Sequence, residues 1–331
     1  MLLGCAGGFS FALMELPLAW LLGAMSVCLI ATFCGLSLYK PGSIVLSMRA
    51  ILGVAIGSAF SPEINERLGD LSHSLLFLLP YCLLTGLIGY AFFRTVAKFD
   101  RPTAYYAAMP GGFQDMVAFG EEAGAKIQPL ALVHATRIIF LVFTLPFLVR
   151  WIEGLETENA GLHHWPDFES LIILFLCGGL GWGLAKLLRI SGSAIVGPMV
   201  VSGLAHYLGW VEATPPKAFI DLAQLIIGVH IGCQYQGMRV KEMASVIFIS
   251  FGYLLILGIL TAAFVGLVFI FAEADPVAAL LAFSPGGQAE MNLIAFAMDI
   301  DVTYVALHHL IRMVLVIVGA QLIFKLIKRF A

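Results

Sequence analysis

What this 331-residue chain has least of is charge: Asp, Glu, Lys and Arg make up 12% of it, against 60% hydrophobic residues and a mean hydropathy of +0.97. So little charge cannot cover a water-facing surface, and no soluble domain of useful size is expected. A basic stripe is lacking, which argues against a nucleic-acid partner, and so is a Walker-type glycine-rich loop, which argues against ATP. The six cysteines (Cys5, Cys28, Cys34, Cys82, Cys177 and Cys233) follow neither metal-like nor redox spacing, and they read as buried structural thiols. No metal and no cofactor is expected. The start of the chain lacks the basic region of a cleaved signal peptide, so its first apolar run is read as a helix.

What is present is a series of apolar runs approaching twenty residues, the length that spans a bilayer. They fall at about 2–16, 17–37, 44–61 and 72–95, followed by an interrupted segment at 102–122 and a long run at 127–150. After a polar link from Glu153 to Asp167 the order repeats at about 168–188, 193–210, 217–235 and 243–272, with an interrupted segment at 276–298 and a closing run at 302–324. The first run is shorter than its counterpart at 168–188, which points to a truncated or misassigned start.

The repeat is explicit in the motifs. Met109-Pro-Gly-Gly-Phe-Gln-Asp-Met116 is answered by Ser284-Pro-Gly-Gly-Gln-Ala-Glu-Met291, and His134-x-x-Arg137 by His309-x-x-Arg312, all at a constant separation of 175 residues. Gly53-x-x-x-Gly57 returns as Gly228-x-x-x-Gly232 at the same separation, a pattern that permits close helix packing. Residues 1–160 and 161–331 are therefore read as two membrane repeats.

Basic residues change sides between equivalent linkers. Arg94, Lys98 and Arg101 precede the first interrupted segment, whereas Glu273 and Asp275 precede the second. Glu63, Glu66, Arg67 and Asp70 correspond to Arg239 and Lys241, and Arg150 with the acids of 153–167 to Lys325, Lys328 and Arg329. Opposite polarity implies inversion, which needs an odd number of crossings. The expected fold is thus an all-α polytopic membrane protein of two inverted repeats, each with five transmembrane helices plus a re-entrant, broken Pro-Gly-Gly hairpin. Both termini would be cytoplasmic, and Trp151, Trp165 and Trp210 would mark the outer interface.

Proline removes a backbone donor and glycine frees the chain, so Pro110-Gly111-Gly112 and Pro285-Gly286-Gly287 should break helices. At membrane depth such a break survives only where protein or a watery cavity satisfies the freed groups. The exposed amides could attract an anion at two short helix ends, or each motif could be a plain kink. Asp115 and Glu290 follow by about one turn, as carriers of a proton or Na⁺ or as ion-pair partners of Arg137 or Arg312. His134 and Arg137, and likewise His309 and Arg312, share a helical face, where arginine suits a carboxylate and histidine a proton. Each histidine could equally be a satisfied packing residue. Gln114, Gln288 and Asn292 complete the candidate solute-binding set. His163-His164 and His308 do not suggest a metal site.

These residues resemble the membrane AbrB family, whose members carry a duplicated domain with a Pro-Gly-Gly-x-x-acid motif in each copy; related chains are sometimes labelled ammonia monooxygenases. The resemblance covers nearly the whole chain, and does not extend to the small soluble DNA-binding regulator of the same name. It implies a multi-pass protein of the bacterial inner membrane, acting as a transporter or as a regulator of gene expression.

The residues themselves favour a secondary transporter of a small solute, an anion or weak acid, bound between the two broken segments near the midplane. The expected partners are that solute, a coupling proton or sodium ion and the lipid bilayer, with homo-oligomerisation left open. The alternatives are a membrane-embedded regulator and a metal-dependent membrane monooxygenase, which would need a convergent ligand set. No enzymatic role is expected.

Overall fold

A computed structural model describes residues 1–60, 62, 71–154, 165–236 and 240–330. Glu63, Glu66, Arg67, Asp70, His163-His164 and Arg239 lie outside the described residues. Everything regular among the described residues is helical. The helices are α1 (Leu2–Leu13), α2 (Ala19–Phe33), α3 (Ile44–Gly57), α4 (Leu78–Thr95), α5 (Arg101–Ala108), α6 (Phe113–Glu122) and α7 (Ile127–Glu153). They continue as α8 (Phe168–Leu187), α9 (Ser193–Tyr207), α10 (Lys217–Gly232), α11 (Val240–Ala272), α12 (Pro276–Phe283), α13 (Gln288–Ala297) and α14 (Val302–Phe330).

Among the described residues, five segments are long and apolar enough to cross a membrane: Leu71–Thr95, Ile127–Glu153, Phe168–Leu187, Ala244–Ala272 and Val302–Phe324. Their outer faces are of a kind that water would not tolerate. Phe175 is 81% exposed, Phe248 79% and Ile259 73%, with neighbours such as Leu87, Leu180 and Leu322 also open. Lipid-facing side chains look like this, and the chain is a membrane-type helical protein. The sequence expectation of full spans at 17–37, 44–61, 193–210 and 217–235 is met by shorter helices of 15, 14, 15 and 16 residues. Beyond α2 and α9 the chain turns at Gly35 and Gly209, both at positive φ, and α3 and α10 end at Gly57 and Gly232.

The chain forms two compact units, and each draws on both halves of the sequence. The first comprises Met1–Glu66, Phe143–Gly237 and Asn292–Thr303; the second comprises Arg67–Val142, Met238–Met291 and Tyr304–Ala331.

Within the first unit, glycines set the helix contacts. Gly7 of α1 meets Gly23 of α2 backbone to backbone, and Gly181 of α8 meets Gly197 of α9 in the same way. A methyl group at Gly53 or Gly57 would come within 2.5 or 2.6 Å of the Ile195 or Met199 carbonyl oxygen of α9. One at Gly228 or Gly232 would come as close, 2.5 or 2.6 Å, to the Leu21 or Met25 carbonyl oxygen of α2. The contacts are therefore reciprocal: α3 packs on α9 as α10 packs on α2. With no hydrophobic drive between helices in lipid, this close approach is what holds such helices together. Ser202 Oγ adds a hydrogen bond of 2.9 Å to the Val54 carbonyl.

The second unit has an aromatic core. Phe93, Tyr105, Tyr106 and Tyr253 are buried there with Met116 and Leu130. Phe93 stacks on Phe99 at 5.6 Å, and Tyr253 meets its edge at 4.7 Å. Both Pro-Gly-Gly motifs, with the α7 and α14 residues opposite them, belong to this unit.

Candidate functional site

Each break is built the same way. Asp100 caps α5 by accepting the Thr103 N–H, and Asp275 caps α12 by accepting the Ala278 N–H. Each of these helices runs eight residues and stops at the motif, because the proline cannot donate and the glycines do not hold the helix. Met109 and Gly112 are extended, and α6 starts immediately after; Ser284 is likewise extended, and α13 starts at Gln288. Pro110, Gly111, Pro285 and Gly286 are buried. The Met116 and Met291 thioethers lie 2.7 and 2.8 Å from where a Cβ of Gly111 or Gly286 would stand, which gives the repeated methionine its place beneath the turn.

The freed carbonyls are taken by the arginines. Arg137, 2% exposed, donates from Nη1 to the Met109 carbonyl at 3.0 Å and from Nη2 to the Gly111 carbonyl at 2.8 Å. Arg312, 3% exposed, donates from Nη1 to Ser284 at 2.7 Å and from Nη2 to Gly286 at 3.3 Å. These carbonyls stand at equivalent positions of the two copies, and Arg312 Nη1 also lies 3.4 Å from the Ala282 and Phe283 carbonyls. A guanidinium spans two carbonyls because its donors are held in a fixed fork, and its charge suits the negative end of α5 or α12. Tyr253 adds to the first break by donating to the Ala108 carbonyl at 3.0 Å.

The histidines also bind carbonyls. The Nε2–H of His134 donates to Tyr106 at 3.0 Å, and that of His309 to Leu281 at 3.1 Å. Here the copies diverge. His309 Nδ1 accepts from Arg312 Nη2 at 2.6 Å, which requires the neutral tautomer, since arginine can only donate. His134 Nδ1 and Arg137 Nε are buried with no partner among the described residues.

The acids turn back on their own helices. The Asp115 carboxylate lies 2.8 Å from where a Cβ of Gly112 would be, and the Glu290 carboxyl overlaps the corresponding position of Gly287. Each acid stands in the first turn of α6 or α13, where negative charge stabilises the helix end. Gln114 is exposed and Asp115 half-buried, whereas Glu290 is 5% exposed. Asn292 is fully buried, and both its Oδ1 and Nδ2 lack a partner among the described residues; so does Gln288 Nε2.

Sequence reasoning overlooked four residues. Tyr253 carries no repeat signal, and the thioethers of Met116 and Met291 had a repeat signal without a role. His308, read only as unsuited to a metal site, bonds through Nε2 to Ser74 Oγ at 2.9 Å. Among the described residues no three His, Cys, Asp or Glu side chains gather closely enough to hold a metal ion.

The chain is 24% identical over 357 residues to the uncharacterized protein YhjN of Bacillus subtilis (strain 168), covering 95% of this chain and 88% of that protein. It is also 24% identical over 326 residues to a candidate regulator called AbrB from Escherichia coli (strain K12), covering 97% of this chain and 93% of that protein. Residues 20–328, which include both Pro-Gly-Gly motifs and both His-x-x-Arg motifs, match the family model described as transition state regulatory protein AbrB, and the chain belongs to that family.

Proposed function

We propose that this protein is a secondary transporter of a small solute, built as two inverted repeats with the solute bound at the Pro-Gly-Gly breaks near the middle of a bacterial inner membrane. The observation that carries the reading is the pair of broken helices, each held open by a buried arginine on a neighbouring long helix. A merely kinked helix needs no such clamp. Discontinuous helices in duplicate are what secondary transporters use to expose backbone at depth. Reciprocal glycine packing in the first unit supports a two-fold relation between the halves, and the opposite polarity of equivalent linkers supports an axis in the membrane plane.

In this reading the five shorter helices also cross, and each broken pair enters and leaves by one face. Cysteine labelling in intact cells tests the topology. Position 98 should be shielded and position 274 reachable from outside, and equal accessibility would refute the inversion. Transport is tested by flux into proteoliposomes under an imposed pH or Na⁺ gradient, with empty vesicles as the baseline. A regulatory role, suggested by the name of the Escherichia coli relative, would instead leave flux at that baseline while transcript levels change on deletion.

A further inference from the structure

The first unit carries a basic cluster at the C-terminal end of α10, where the linker from α2 to α3 lies against it. The Nδ1–H of His230 donates to the Pro41 carbonyl at 3.0 Å, and Lys40 Nζ donates to Gln234 Oε1 at 3.2 Å. The Leu38 N–H adds a bond of 3.2 Å to Gln236 Oε1. Helix α3 packs against α10, and the charges of both Arg49 and Lys40 reach His230. Lys40 is exposed, and Arg49 and His230 are half-buried, so the cluster is open to what surrounds the protein. Arg49 stands roughly 8 Å into α3 at 1.5 Å per residue. Its Nε is buried without a partner among the described residues, and no carboxylate among them ion-pairs with Arg49, Lys40 or His230. The equivalent of Arg49 in the second repeat is Gln224, and that of His230 in the first is Ala55. The fold therefore does not require charge at either place.

An arginine at membrane depth without a counter-charge is costly, and it is kept where it meets an anion or reaches water. We propose that Arg49 and Lys40, set about His230, hold a phosphate group: the headgroup of an anionic lipid, or a free phosphate ester. The guanidinium fork matches two phosphate oxygens and the lysine adds a point charge. Neither side chain accepts a hydrogen bond, so the pair suits a group that offers acceptors. Position favours a headgroup. In the topology proposed above, the linker between α2 and α3 follows two crossings from a cytoplasmic N-terminus, and the cytoplasmic leaflet is where anionic lipids meet basic clusters. The site is additional to the solute site, because both breaks belong to the other compact unit.

The test is lipid retention by the purified full chain. The protein is held in nanodiscs of equal parts phosphatidylglycerol and phosphatidylcholine, whose phosphate is offset by its own cation, then released into neutral detergent. Native mass spectrometry counts the lipid that stays bound. Phosphatidylglycerol should outnumber phosphatidylcholine, and Arg49→Gln and Lys40→Gln should each lower the ratio about fivefold, as one basic residue near an anionic surface contributes. Arg49→Gln installs the residue of the other repeat, and Lys40→Gln, at an exposed position, serves if the first does not fold. In parallel, glycerol phosphate, acetate and succinate are tried as protectants against thermal unfolding in the same detergent. Protection by glycerol phosphate alone, abolished by Arg49→Gln, assigns the site to a free ester; lipid excess without that protection assigns it to a headgroup. Neither excess nor protection, an effect that both variants retain, or equal protection by the carboxylates overturns the proposal. An arginine that merely reaches interfacial water gives the first of these results. The flux assay tests the transport reading separately, and none of these outcomes bears on it.

Discussion

Arg312→Lys is the sharpest perturbation of the breaks, because it keeps the charge and removes only the fork. In the native site one guanidinium serves Ser284 at 2.7 Å, Gly286 at 3.3 Å and His309 Nδ1 at 2.6 Å. A lysine ammonium is a single nitrogen on a flexible stem and cannot reach all three. One or two buried acceptors would be orphaned, each at a cost of about 1–3 kcal/mol, giving roughly 1–6 kcal/mol in all. Arg137 serves two carbonyls, at 3.0 and 2.8 Å, and no histidine. Arg137→Lys orphans one of them and should be milder by about 1 kcal/mol. The assay is thermal unfolding in one detergent at one scan rate, because membrane proteins commonly unfold irreversibly. The expected order of Tm is wild type, then Arg137→Lys, then Arg312→Lys. His309→Phe removes the orphaned Nδ1 but also frees the Leu281 carbonyl, so the double change should cost less than the sum of the two single changes, a coupling that a double-mutant cycle isolates. Were Arg312→Lys to melt within about a degree of wild type, or Arg137→Lys to be the worse of the two, the clamp would not hold the breaks as described.

Three further expectations follow from the same contacts. Gly232→Ala places a methyl group 2.6 Å from the Met25 carbonyl oxygen and should cost about 1–3 kcal/mol by overpacking, read as a lower Tm; an unchanged Tm would mean that α2 and α10 are not so close. Asp115→Asn and Glu290→Gln remove charge from a helix N-terminus and should each cost about 0.3–1 kcal/mol while folding persists, so complete loss of folded protein would assign the carboxylates a heavier structural role. At Asp167, which caps α8, hydrogen bonds from the Ser170 hydroxyl and N–H hold the carboxyl below its usual range. Its folded pKa is depressed, so its contribution is present above the unfolded carboxylate pKa and fades as pH falls through the folded one. Asp167→Asn should flatten the acid limb of the Tm–pH curve, and an identical acid limb would remove the cap from the account.

The sequence by itself determined where the helices and their interruptions lie. Apolar runs in a charge-poor chain have one stable form in lipid, and Pro-Gly-Gly cannot continue it, so α7 and the gaps before α6 and α13 fall within a few residues of the positions read from the pattern. The 175-residue repeat likewise announced His134, Arg137, His309 and Arg312 as a matched set. Only the tertiary structure decided what those residues do. Arg137 and Arg312 bond to carbonyls, an interaction that leaves no trace in residue identity because every residue has a carbonyl. Tertiary packing also gathered both breaks into one unit and set α3 on α9 and α10 on α2, since helix pairing depends on which glycine faces which backbone. The burial of Asn292 belongs to the same category: a side chain's polarity is written in the sequence, and its lack of a partner among the described residues is a property of the fold.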